Sequence, residues 1–335
     1  MSNYLVTGGL GFVGSHLTSA LLDDPEARVT VVDNLTQQVL PSEEVVGQIV
    51  RGRPGTLDVR IESVADYRPG CRCDVIFHLA SVVGPAAVLK HAGYITESIV
   101  RDTYTMIRLA QEQGARLVQI STSEVYGGGD HGFCEEDSPR VIRGPASARQ
   151  EYAAGKLACE VAILNLCQAE KLDAVVLRPF NISGVRQLGQ GGFVLPRFVG
   201  QAILGLPLTV FGNGSQVRAF TDVRDVASGI VAAGQRGKSG EVYNVGNPDN
   251  RTTIGDLAKL VVKVTGSTSP IRSLDPTTIY GQAYRDAPDK FPTADRLRSL
   301  GWQPKWRLAQ TVESVHAWLL DMPRSQMKRV AGLET

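Results

Sequence analysis

No run of apolar residues in this 335-residue chain is long enough to span a bilayer, so no membrane-crossing helix is expected. An excess of charge is also missing: 35 basic and 34 acidic residues leave a net charge of +1. The chain therefore has no general attraction to nucleic acid or to a membrane surface, and any anion site must be local. Cysteine is scarce, with five residues, odd in number and scattered, which fits a reducing cytosol. The Cys71-Arg72-Cys73 pair lacks the second ligand pair that metal chemistry needs. His16, His78, His91 and His131 likewise have no metal-ligand spacing and read as structural or solvated. Met1-Ser2-Asn3-Tyr4 runs directly into apolar sequence, which leaves no room for a signal peptide and predicts a cytoplasmic protein. The remaining composition, 43% apolar and 21% charged, is that of an ordinary globular protein.

What is present is organised around residues 4 to 33. Tyr4-Leu5-Val6-Thr7 is a short β-prone run that enters Gly8-Gly9-Leu10-Gly11-Phe12-Val13-Gly14. This Gly-x-x-Gly-x-x-Gly spacing gives a tight turn at Gly8, close backbone approach to a diphosphate at Gly11, and close helix-on-strand packing at Gly14. A helix is predicted to follow, with Leu17, Ala20 and Leu21 inward, and to stop near Asp23-Asp24-Pro25. Val29-Thr30-Val31-Val32 gives a second strand with Asp33 at its carboxyl end, where a ribose 2′-hydroxyl finds its acceptor. Asn34 and Leu35 follow, with no arginine for a 2′-phosphate, so the pattern predicts NAD rather than NADP.

Farther along, a short helix is predicted over Glu43 to Val50, and strands over Val59 to Val64, Cys73 to Ala80 and Arg116 to Thr122. The stripe Ile95, Ile99, Thr103, Met106, Ile107 and Ala110 predicts a helix over Tyr94 to Gln113, ended by Gly114. The polar stretch from Ser121 to Gly129 caps a strand at the sheet edge where ligands bind in open α/β folds. Ser147 to Glu170 reads as one helix carrying Tyr152 and Lys156, four apart on one face. Such a pair is either solvated surface or a phenol whose pKa the ammonium lowers for use as a base.

Taken together, Gly8 to Gly14, His78-Leu79-Ala80-Ser81, Ser121-Thr122-Ser123-Glu124-Val125-Tyr126-Gly127, Tyr152 to Lys156 and Arg178-Pro179-Phe180-Asn181 resemble the extended short-chain dehydrogenases/reductases. The nearest branch is that of the nucleotide-sugar epimerases, dehydratases and decarboxylases. The resemblance covers nearly the whole chain and continues through Val194 to Phe198, Leu208 to Gly214, Gln216 to Phe220 and Val242 to Gly246. It implies a Rossmann doubly wound parallel sheet with a smaller, discontinuous α/β substrate lobe. Residues 1–181 and 221–250 would be the NAD-binding domain, 182–220 and 251–330 the nucleotide-sugar lobe, and 331–335 a tail, with the charged segment from Met322 fraying.

The resemblance also assigns roles. Tyr152 would take the proton of the sugar 4-hydroxyl as hydride leaves C4 for NAD, Lys156 would hold the nicotinamide ribose and tune that tyrosine, and Thr122 would bind the same oxygen. Gly8, Gly11, Phe12, Val13, Gly14, Asp33 and Asn34 would contact the cofactor. Ser63 and Val64 would meet its adenine, and Leu79, Ala80 and Ser81 the rest. Ser63 stands where the family commonly has an aspartate. Val83, Thr122, Ser123, Tyr152, Asn181, Arg197, Phe211, Arg218 and Lys290 would line the nucleotide-sugar site, with Asn181 and Arg218 at the diphosphate.

Ser123-Glu124 replaces the Asp-Glu pair of 4,6-dehydratases and resembles enzymes acting on hexuronates, with Glu124 left as a base. Lys290-Phe291-Pro292 has lysine where UDP-glucuronate decarboxylases have arginine, which keeps charge but loses the bidentate fork. The expectation is a UDP-hexose or UDP-hexuronate 4-epimerase, such as one acting on UDP-glucuronate, with UDP-glucuronate decarboxylation as the alternative. A dehydratase fits less well because Ser123 cannot serve as a strong acid, and a non-catalytic NAD sensor because Thr122, Tyr152 and Lys156 are all present. A carboxylate subsite is expected at Arg186, Arg197 or Lys290, and the family's pairing through helices 94–113 and 147–170 implies a homodimer.

Overall fold

The computed structural model describes residues 2–37, 40–129, 131–144, 146–275, 277–280 and 289–333. Met1 and the last two residues of the expected tail lie outside them. Valine-rich runs form the strands of the central sheet: β1 (Ser2–Thr7), β2 (Ala27–Asp33), β3 (Thr56–Ile61), β4 (Val75–His78), β5 (Arg116–Ile120), β6 (Ala174–Pro179) and β7 (Val242–Val245). All pair in parallel, in the order β3-β2-β1-β4-β5-β6-β7. The order reverses between β1 and β4, and a crevice opens there outside the carboxyl ends of the strands.

Three strands stop earlier than their sequence suggests. β3 ends at Ile61 rather than Val64, because Ser63 begins a turn: its hydroxyl accepts the Ala65 N–H at 3.2 Å and its carbonyl the Asp66 and Tyr67 N–H groups. β4 ends at His78, since the Ala80 N–H leaves the ladder for Thr7 Oγ1 at 3.2 Å. β5 ends at Ile120, and Ser121 N reaches across to Leu177 O at 2.7 Å.

Helix α1 (Phe12–Leu21) buries Leu17 and Leu21, while Ala20 is only partly covered. Full burial of one such leucine contributes roughly 2 kcal/mol. Helices α2 (Ile95–Gln113) and α3 (Ala148–Gln168) lie side by side, and all six residues of the expected α2 stripe are buried. Their approach is close at Gly155, where a Cβ would stand 3.2 Å from Thr96 Cα. α3 also caps its neighbour: Glu151 accepts the N–H groups of Gly93, Ile95 and Thr96 at 2.6, 2.8 and 3.2 Å. A carboxylate at that N-terminus answers both the orphan donors and the helix dipole.

Helix α4 (Val223–Arg236), capped by Asp222, packs on α1. Beyond the sheet, helices Val194–Ile203, Ile254–Thr265 and Leu308–Leu320 form a separate layer, yet the core is continuous. One buried cluster runs from Leu17 and Val31 through Val226 to Phe198, Leu257 and Val315.

The expected frayed tail is a helix instead, Arg324–Ala331. Its charged residues face outward and Met327, Val330 and Ala331 are buried. It fits because the facing positions are small: a Cβ on Gly200 would lie 2.5 Å from that of Ala331.

Candidate active site

The crevice is a cleft of about 880 Å³ bounded by the glycine turn at one end and by Glu124 and Lys290 at the other. Gly8 takes φ +70°, and a side chain on it would meet Ala80 N at 2.9 Å; on Gly14 a Cβ would lie 2.0 Å from Gly8 O. Only glycine lets α1 press onto the turn in this way. The helix starts at Gly11 with neither a side-chain cap nor an acid in its first turn, so its leading N–H groups and positive dipole end are open to an anion.

Asp33 fixes the turn by accepting Leu10 N at 3.0 Å through Oδ2 and Leu35 N at 2.9 Å through Oδ1. Burial raises its pKa and those N–H groups pull it back. The Asn34 side chain folds onto Thr36 N at 3.1 Å. Phe12, Val13, Val64, Leu79, Ala80 and Ser81 line the same end. Ser63 does not: the early end of β3 keeps it in its own turn. The cradle and the acid at the end of β2 fit a dinucleotide.

Thr122, Ser123, Tyr152 and Lys156 meet in the middle of the cleft. Thr122 caps the short 3₁₀ turn Ser123–Tyr126, its Oγ1 accepting Glu124 N at 3.2 Å. Lys156 is 3% exposed, and its Nζ donates to Ile120 O at 2.9 Å. Burial pulls its pKa down, and Cys159, Glu160 and Asp102 restore part, leaving it at about 8. The expected lowering of the tyrosine pKa is not present. Burial raises it, the hydrogen bond with Thr122 opposes this only in part, and the Lys156 Nζ lies 6.0 Å from the ring centre. Tyr152 therefore rests as a neutral phenol.

Glu124 is not the free base the sequence suggested. It is ion-paired to Lys290, and Arg149 Nη1 reaches its two oxygens at 3.2 and 3.1 Å. Burial would raise its pKa, but Lys290 and then Arg149 override that and leave the carboxyl at about 2. Lys290 is 4% exposed and lies beside Arg218 through a parallel backbone bridge. Two cations on one carboxylate leave the cluster one positive charge over.

Arg218 donates to Val217 O at 2.7 Å and pairs with Asp289 at 3.4 Å. Arg197 lies 4.3 Å above the ring of Phe211, both on the cleft wall. Asn181 Oδ1 is buried there without a hydrogen-bond partner among the described residues. Val83 and Arg186 complete the residues expected from sequence. Arg149 and Gln187, which also line the cleft, were missed. Arg149 is three residues before Tyr152, less than one turn away on a helix whose face was already assigned, and that spacing was the available signal.

A family model described as the NAD dependent epimerase/dehydratase family matches residues 4–246. A UDP-N-acetyl-alpha-D-glucosaminuronate decarboxylase of Bacillus cytotoxicus is 31% identical over 300 residues, covering 88% of this chain and 90% of its own. UDP-glucuronic acid decarboxylase 1 of Danio rerio is 33% identical over 302 residues, 90% of this chain and 68% of its own. Among solved structures, a UDP-N-acetylglucosamine 4-epimerase from Methanobrevibacter ruminantium superposes with a TM-score of 0.82 at 24% identity, over 95% of this chain and 98% of that one, which is a likeness of fold. The glycine cradle, the Thr122–Tyr152–Lys156 centre and these matches agree: the chain is an enzyme of the NAD dependent epimerase/dehydratase family, a nucleotide-sugar branch with NAD as its cofactor.

Proposed function

We propose that the substrate is a UDP-linked hexuronate, oxidised at C4 and then decarboxylated. The observation that carries this reading is Lys290, nearly buried in the cleft and held on Glu124 with Arg149. The extra positive charge of that cluster complements a sugar carboxylate, whereas a neutral hexose would leave it unmatched. The two curated relatives described above are decarboxylases by name, which supports the same branch.

NAD bound along the glycine turn supplies the hydride acceptor. Thr122 and Tyr152 converge on one carbinol: once its own phenolic proton has been lost to solvent, Tyr152 would take the hydroxyl proton as C4 gives up its hydrogen as hydride, and Lys156 would order the tyrosine's surroundings. The product is a ketone β to the carboxylate, which loses CO₂ to an enolate whose oxygen Tyr152 and Thr122 hold. A proton from solvent at C5 then gives a UDP-4-ketopentose, or a UDP-pentose if the hydride returns to C4 and Tyr152 gives its proton back to the oxygen. Asn181 and Arg218 would bind the nucleotide diphosphate, Arg197 and Phe211 its base end, and 182–220 with 251–330 would form the sugar-nucleotide lobe. Pairing through α2 and α3 belongs to the same reading; Tyr104 and Val161 are exposed on those helices.

The second reading is 4-epimerisation of the same hexuronate, in which the ketone keeps its carboxylate and the hydride returns to the other face. It is favoured by lysine standing in place of arginine, and by Glu124 already occupying both cations. Proton NMR of the purified protein with UDP-glucuronate, and separately with UDP-glucose and UDP-N-acetylglucosamine, decides. A UDP-pentose or 4-ketopentose with CO₂ supports decarboxylation, and C4 epimers without CO₂ support the second reading. Turnover of the neutral sugars alone overturns both.

A further inference from the structure

Arg186 is held in a way that neither chemistry at C4 nor the Lys290 cluster explains. Its backbone takes φ +69°, a left-handed conformation that favours glycine, at the tip of the segment after β6. Its Nε and Nη1 are buried without a hydrogen-bond partner among the described residues, while the side chain lines the cleft. A guanidinium carries five donors and keeps its charge at neutral pH, so one that lines a cleft with buried donors unpaired calls for an anion that arrives from outside.

The position identifies that acceptor. The carbonyl of Val185, next in the chain, accepts Nε2–H of His16 at 2.9 Å, and His16 is four residues after the first residue of α1. Arg186 is thereby tied to the wall of the cleft that carries the uncapped N-terminus of that helix, not to the wall of Arg218, Lys290 and Glu124. The loop is fixed from within by Gln187, whose Nε2 donates to Ile182 O at 2.7 Å.

We propose that Arg186 is the fixed cation of the cofactor's diphosphate, closing from the segment after β6 the anion cradle that the glycine turn and α1 open from the other side. This removes it from the three candidates for a sugar-carboxylate subsite. Burial, and then repulsion by Arg53, brings its pKa down to about 10, so the charge is held at a cost that an arriving diphosphate relieves. Arginine suits the role because its planar fork matches two phosphate oxygens at once.

The test is a dissection of the ligand by calorimetry on the full chain stripped of nucleotide. Arg186→Gln is expected to lower the affinity for NAD and for ADP-ribose about 10- to 100-fold, with adenosine and UDP binding unchanged. Arg186→Lys is expected to recover part of the loss, and the bound NAD of the freshly purified variants should fall in the same order. Retained UDP binding shows that a variant is folded. Unchanged NAD and ADP-ribose affinity would overturn the proposal, and so would a loss confined to UDP or shared equally by all four ligands.

Discussion

Arg178 Nη2 and Glu160 Oε2 stand 2.6 Å apart, with the two side chains 0% and 1% exposed. Glu160 follows Lys156 by one turn of α3 and also accepts the hydroxyl of Ser121 at the end of β5. Arg178, at the end of β6, reaches Tyr126 Oη at 2.8 Å and Glu136 O at 2.9 Å. The pair thus locks the helix carrying Tyr152 and Lys156 to two strand ends that form the floor of the cleft.

Removing one partner leaves the other as an unpaired buried charge. Glu160→Gln is expected to cost about 3–5 kcal/mol in denaturant unfolding, whereas the double change Glu160→Leu with Arg178→Met should cost much less. Equal losses for the single and double variants would mean that packing, not charge pairing, makes the site rigid.

In the proposed chemistry Tyr152 and Thr122 address the same carbinol, so their deletion should strike turnover and spare binding. Tyr152→Phe is expected to lower kcat by about 10²- to 10⁴-fold, with UDP-sugar affinity and NAD content near those of the unaltered protein. A variant that still turns over at a comparable rate would remove the tyrosine from the proton-transfer role.

Much of this was legible along the chain because it is local. Gly8 to Gly14 and Asp33 fall within one strand-turn-helix-strand unit, and the α2 stripe needs only helical spacing. What stayed hidden depends on residues far apart in sequence. Lys290 meets Glu124 across 166 positions, and Glu151 caps a helix more than fifty residues earlier. The tail helix was unreadable for a related reason: its charged surface looks like frayed chain until Gly189 and Gly200 are seen to make room for it. Glu124 and Tyr152 both line the cleft, but their protonation differs from what spacing suggested, since desolvation and partners cannot be read from spacing.

Lys290→Met separates charge recognition from chemistry. With Glu124 and Arg149 left as a neutral pair, KM for UDP-glucuronate should rise about 10- to 100-fold, while the affinity for UDP itself is unchanged. If KM for the uronate and affinity for UDP shift together, Lys290 serves the nucleotide diphosphate rather than the sugar.

Two histidines, the buried His78 and the half-buried His16, bear on the acid limit of the fold. Thr7 Oγ1 accepts Ala80 N–H and shares a hydrogen bond with His78 Nδ1 at 2.7 Å, and His16 uses Nε2–H on Val185 O. Burial, aided by Lys156 for His78 and by Arg186 for His16, lowers both pKa values from 6.5 to about 3. Below pH 6.5 the unfolded chain takes up protons that the folded one refuses, so stability falls with falling pH until about 3, by about 1.4 kcal/mol per pH unit for each ring. Glu124 adds a second window of the same sign between 4.5 and about 2, where its ion pairs are lost on protonation. His78→Gln should flatten the fall in unfolding free energy between pH 6 and 4 by the share of one ring, at some loss of stability at neutral pH. An unchanged slope in that variant would show that His78 is protonated in the folded protein and that the acid sensitivity arises elsewhere.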